Sequence, residues 1–129
     1  MCWKVELQPV MRDADGGRDP GLRVPDEVRG VRCLGTFPRY ALVYEAECAC
    51  GIVGEGKAVD NAEHFLGEFL RQPGVAAVKL AWFWDEGGER PSCSAQAMAY
   101  AEFARLNEAQ RLTPNVEYVV SLPERAPGA

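Results

Sequence analysis

Apolar residues recur along this chain with two periods. Four stretches alternate, as strands do. In Val75 to Asp85, Val78, Leu80, Trp82 and Trp84 share one face, and Lys79, Ala81, Phe83 and Asp85 share the other. Pro73-Gly74 and Gly87-Gly88 punctuate its ends. Near the N-terminus, Trp3, Val5 and Leu7 alternate with Lys4, Glu6 and Gln8, a strand predicted to end at Pro9. From Tyr40 to Cys50, Tyr40, Leu42, Tyr44, Ala46, Cys48 and Cys50 line one side, against Val43, Glu45 and Glu47. Val116, Tyr118, Val120 and Leu122 alternate with Glu117, Val119 and Ser121 in a last strand.

Two stretches follow the helical period. Over Val59 to Arg71, Val59, Ala62, Phe65, Leu66, Phe69 and Leu70 form a stripe, with Asp60, His64, Gly67, Glu68 and Arg71 opposite. A second helix is predicted from a Ser92 cap to about Leu112, stopped by Thr113-Pro114. Its stripe is Ala95, Met98, Ala99, Leu106 and Ala109, and Glu102 falls inside it. Residues 11–29 read as a mobile loop and 123–129 as a frayed tail. Pro25-Asp26-Glu27 can open a short helix, and Val31 to Phe37 can equally be a strand; Pro38 ends either.

Strands with one apolar and one mixed face imply helices on a single side. The expected fold is an α+β two-layer sandwich in one domain, residues 1–122. It has a mixed sheet of about five strands with two main helices on one face. A ferredoxin-like or related split arrangement is the nearest architecture by element order alone.

Composition narrows the functional classes. The 129 residues are 47% hydrophobic and 26% charged, an ordinary globular balance. The net charge of −5 argues against direct nucleic-acid binding, which needs clustered Lys and Arg. No apolar run approaches the length of a membrane span, and the first residues lack the pattern of a secretory signal. A soluble cytoplasmic protein with reduced thiols is therefore expected, although it has five cysteines.

Few positions suggest chemistry. Cys48-Ala49-Cys50-Gly51, with His64 downstream, resembles the short CxCG-to-His segments of small zinc-binding modules. That resemblance implies zinc on Cys48 and Cys50, with Cys33 or Cys93 completing a tetrahedral set. Against it, only one residue separates the two cysteines, and His64 faces away from the apolar stripe of its helix. The plain reading is two small buried residues. Cys93 opens the second predicted helix, where a thiolate is favoured, but the single histidine lies on the other helix. Asp13, Asp15 and Asp19 lack the further ligands of a calcium loop. Neither phosphate-binding glycine motif is present.

With no catalytic set, the chain reads as a small acidic non-enzymatic binding or regulatory protein. It would dimerise, or bind or inhibit a partner protein, through the open sheet face. Phe83 is the expected aromatic anchor there, beside Lys79 and among Lys4, Glu6, Glu45, Glu47 and Glu117, and a basic partner is expected. A second reading is a small-molecule pocket between the second helix and the sheet. Glu102, desolvated, would be its polar group, with Tyr44, Trp82 and Trp84 as walls. A zinc module on Cys48 and Cys50 is the third, and no other cofactor is expected.

Overall fold

The alternating stretch at Val75–Asp85 forms β4, the longest strand, and β1 (Cys2–Met11) pairs antiparallel along its length, from Cys2 opposite Asp85 to Met11 opposite Val75. In the computed structural model these two strands are the centre of a six-stranded mixed sheet. Residues 2–12, 20–28, 30–44, 59–85, 94–109 and 111–122 are described. The other strands are β2 (Val31–Thr36), β3 (Arg39–Tyr44), β5 (Ser94–Ala99) and β6 (Val116–Ser121), and the order across the sheet is β2-β3-β1-β4-β6-β5. All ladders are antiparallel except β5 with β6.

The helices are α1 (Val59–Leu70), between β3 and β4, and α2 (Tyr100–Glu108), between β5 and β6. Both lie on one face, so the α+β two-layer sandwich with helices on a single side is the fold. The ferredoxin-like label is not confirmed. β3 and β4 are parallel with β1 inserted between them, which is a split crossover. β5 and β6 are direct parallel neighbours, with no strand between them.

The buried side of the sheet follows from period two. Val5, Leu7, Leu42, Tyr40, Val78, Leu80, Tyr118 and Val120 all point to the helices and are essentially inaccessible. α1 closes this layer with Ala62, Phe65, Leu66, Phe69 and Leu70, each at 0% exposure. The Phe69 ring lies 4.9 Å from that of Tyr40, and Phe103 of α2 meets Tyr118 edge-on at 5.9 Å. Burying each of the large side chains stabilises the fold by about 1.5–3 kcal/mol before entropy is counted.

Three boundaries depart from the sequence pattern. β1 continues through Pro9 to Met11. The ladder with β3 covers only Val5 to Leu7, so Pro9 sits where β1 no longer has that neighbour and a missing N–H is tolerated. The Val31 stretch is a strand, joined to β3 by a two-residue turn at Phe37-Pro38, whose peptide bond is cis. The largest departure is β5. Residues 94–99, expected in a helix, form an edge strand instead, and α2 begins only at Tyr100 with Ala99 at its N-cap. Ser92, the expected cap, lies outside the described residues. No described helix is long and apolar enough to cross a membrane.

Candidate functional site

Three places on the described surface could serve a function. The first is a cleft of about 270 Å³ where residues 20–28 lie along α1, lined by Arg23, Pro25, Asp26, Val28, His64 and Glu68. The segment is fastened there by a reciprocal pair of hydrogen bonds: Arg23 N–H donates to Gln72 Oε1 at 2.8 Å, and Gln72 Nε2 donates to Arg23 O at 2.7 Å. Glu68 accepts from Arg71 at 3.0 Å and lies 3.9 Å from the Arg23 guanidinium. His64 is half-buried, edge-on to Phe65 at 5.4 Å. The described lining holds no thiol or hydroxyl, so no nucleophile is paired with this histidine there.

The second is a cleft of about 490 Å³ on the outer side of α2, lined by Glu102, Arg105, Leu106, Ala109 and Arg111. Glu102 is exposed, contrary to the expectation of a desolvated acid between helix and sheet. Because α2 starts at Tyr100, the face turned inward is that of Phe103 and Asn107, and Glu102 turns out. Trp82 is half-buried on the helix side of the sheet, away from this lining, and the side chains of Trp84 and Tyr44 lie outside the described set. Among the described residues, Glu102 and Trp82 therefore do not line one pocket.

Polar groups do meet between the helices. Asn107 Nδ2 donates to Glu63 Oε1 at 3.2 Å, and the Tyr100 hydroxyl donates to Glu63 O at 3.1 Å. Burial pushes the Tyr100 hydroxyl pKa up, and the Glu63 carboxylate adds to the rise. Gly67 makes room for this ring: a Cβ there would sit 3.0 Å from the hydroxyl. The seam joins two helices and holds no nucleophile or histidine, so it reads as packing.

The third place is the sheet face opposite α1 and α2, on which no described helix lies. Arg32, Leu34 and Thr36 of β2, Arg39, Ala41 and Val43 of β3, and Lys4, Glu6 and Gln8 of β1 point to it, in register. Beyond them lie Lys79, Ala81 and Phe83 of β4 and Glu117 and Val119 of β6. Phe83, the expected exposed anchor, is 3% exposed. It sits in the middle of the sheet, directly opposite Lys4, whose half-buried stem is within cross-strand reach. Lys79 is half-buried and lies 3.8 Å from Glu117. The exposed apolar residues of this face are elsewhere: Leu34 at 45% and Val43 at 37%. Leu34 stands opposite Ala41, and Val43 opposite Arg32, so the two are diagonal neighbours on adjacent strands.

Glu45, Glu47, Cys48, Cys50 and Cys93, and the three aspartates of the 13–19 loop, lie outside the described residues. Cys33 is a buried thiol on the helix side of β2, its pKa pushed up by desolvation to about 12, which makes it inert. Among the described residues, no group of three His, Cys, Asp or Glu could hold a metal ion. Sequence reading passed over Leu34 and Val43. The signal was present in their alternation with buried Cys33 and Leu42, but the choice between helix and strand at Val31 was open. Comparison with protein-family models, with curated proteins and with solved structures gives no match.

Proposed function

We propose that this is a non-enzymatic binding and regulatory protein whose working surface is the sheet face opposite α1 and α2, centred on β2 and β3. The supporting observation is the exposed pair Leu34 and Val43 on the side that no described helix covers. Two large aliphatic side chains standing together on a rigid, paired region of sheet offer apolar area at little ordering cost. The clefts on α1 and α2 are shallower in chemistry. One lacks a nucleophile for its histidine, and the other is a surface groove without the aromatic walls that small-ligand sites usually have.

Site-specific photo-crosslinking tests this reading. A benzoylphenylalanine placed at Leu34 should capture a protein, either a second copy or another chain, in cells that express the protein. The same probe at exposed Glu108, on the helix side, should not. Equal or absent capture at the two positions would remove the sheet face from the function.

A further inference from the structure

We infer that β5 is the edge through which two copies of this chain join, strand to strand about a twofold axis, with α2 of each copy closing on the other. This surface is distinct from the β2–β3 face proposed above and stands without it.

Pairing among the described residues gives β5 one neighbour, β6. The backbone N–H and C=O groups on its other side form an edge, the kind of template that recruits a further strand. Natural edges are usually blunted by a charge, a proline or a bulge. β5 reads Ser-Ala-Gln-Ala-Met-Ala and has none of the three, and its register on β6 is unbroken from Ser94 to Ala99. The opposite edge strand, β2, carries Arg32 and a glycine, Gly35, at φ 128°. Ser94, Ala95, Gln96 and Ala97 are all exposed, so both faces of β5 are open over most of its length.

A second copy fits this edge. The chain carries a net charge of −5, yet residues 94–99 hold no charge, so two copies meet there without like charges opposite each other. Pairing about a twofold makes the two β5 strands antiparallel and keeps both helix layers on one side of a continuous sheet. Residues that stand opposite then share a face, so Gln96 meets Gln96 or Ala97 meets Ala97. Alanine is small enough for close approach, and the glutamine amide both donates and accepts, so it pairs with itself. A single strand pair falls short of the ~1,200 Å² of a specific interface, and α2 supplies the rest. Tyr100 and Asn107 turn to α1, and Phe103 turns to the sheet. At ~100° per residue, Leu106, Glu102 and Ala109 fall on the flank of α2 away from α1. Because α1 lies over β4 and β1, that flank looks out over the β5 edge. The cleft of about 490 Å³ is on it. In the pair, two such clefts face each other across the axis. Glu102 and Arg105, which rim each cleft, run antiparallel to their copies, so acid meets guanidinium on both sides of the axis.

The test is the mass of the full chain in solution, by sedimentation velocity from about 1 to 300 µM, a range that brackets a micromolar dimer. The protein should move from one chain mass to two and no further. In a mixture of isotope-labelled and unlabelled chain, filtered NOEs should link residues 95–98 of one copy to the same residues of the other. A95K/A97K sets like charges across the axis and should weaken the dimer at least tenfold. If that variant unfolds, Ala109→Lys, at the exposed end of α2 where a cation is favourable, should weaken it at least threefold with the helical signal retained. A single chain mass at every concentration would overturn the inference. So would a dimer that the variants leave intact, or assemblies that grow beyond two, which would pair β5 with another surface. Photo-crosslinking at Leu34 reports on the β2–β3 face, so either proposal can fail without the other.

Discussion

β4 and β5 belong to one sheet, separated only by β6, and they are strands for different reasons. β4 is built from valine, leucine and aromatic residues and is buried on both faces, with Val78 and Leu80 at 0%, Ala81 at 1% and Phe83 at 3%. Such residues favour a pleated, packed surface in almost any setting. β5 reads Ser-Ala-Gln-Ala-Met-Ala, its first four residues are exposed, and Met98 is its one fully buried side chain. Alanine, glutamine and methionine are good helix formers. What holds them extended is the parallel ladder with β6, from Ser94 opposite Val116 to Ala99 opposite Ser121. A central strand carries its own instructions, whereas this edge strand borrows them from its neighbour.

Substitutions can break the contrast at its strongest point. Leu80→Ala should cost about 2–5 kcal/mol, the range for emptying a packed core site, and Met98→Ala on β5 no more than about 2 kcal/mol. Urea denaturation of both variants measures the gap, and equal costs would show that β5 is as deeply anchored as β4. Gly67→Ala acts on the point where β5 becomes α2, because its methyl meets the Tyr100 hydroxyl at 3.0 Å. An overpacking cost of about 1–3 kcal/mol is expected. Adding Tyr100→Phe should recover part of it, and a Gly67→Ala variant as stable as the parent would mean the helices are not fixed by this contact.

The other edge strand, β2, buries Cys33, and pH sharpens the comparison there. Its folded pKa is raised from 9.0 to about 12, so the folded state keeps the thiol neutral while the unfolded chain ionises above pH 9. The contribution is intact below about pH 9 and is lost as pH rises towards 12, with a slope of at most about 1.4 kcal/mol per unit. Cys33→Ala should flatten stability against pH in that window by this amount; an unchanged slope would place the thiol in water. The smallest effect is expected from Ala97→Val on exposed β5. Valine favours a strand over a helix, so thermal stability should rise by a few tenths of a kcal/mol. A loss of stability and helical signal would return residues 94–99 to α2.

The same contrast explains what the sequence reveals. β1, β3, β4, β6 and α1 were legible because their burial follows a clean period, and with them came the one-sided helix layer. Glu102 was misplaced because the phase of α2 depends on where the helix begins, and six residues attributed to it belong to β5. Phe83 was assigned to the correct face, but a face of a sheet is not uniformly open: its middle is crowded and its β2–β3 end is not. Among the described residues that face carries Lys4, Arg32, Arg39 and Lys79 together with Glu6 and Glu117. Two of the acids assigned to it, Glu45 and Glu47, lie outside the described residues, and Arg32 belonged to a stretch whose conformation the pattern left open. No composition argument could have placed Arg32 opposite Val43 and Arg39 diagonal to Leu34; the register of β2 on β3 does.

The insertion of β1 between β3 and β4 makes it a keystone. Both of its neighbours are made later, so β1 waits, unpaired, until β3 and then β4 arrive, and its contacts span long stretches of chain. Assembly of this sheet should accordingly be slow for its size. The arrangement also divides the molecule at one seam: β2 and β3 on one side and β4, β6 and β5 on the other are joined within the sheet solely through β1. A chain lacking Cys2–Met11 would hold two half-sheets under α1, and a synthetic β1 peptide supplied separately is the piece that could rejoin them.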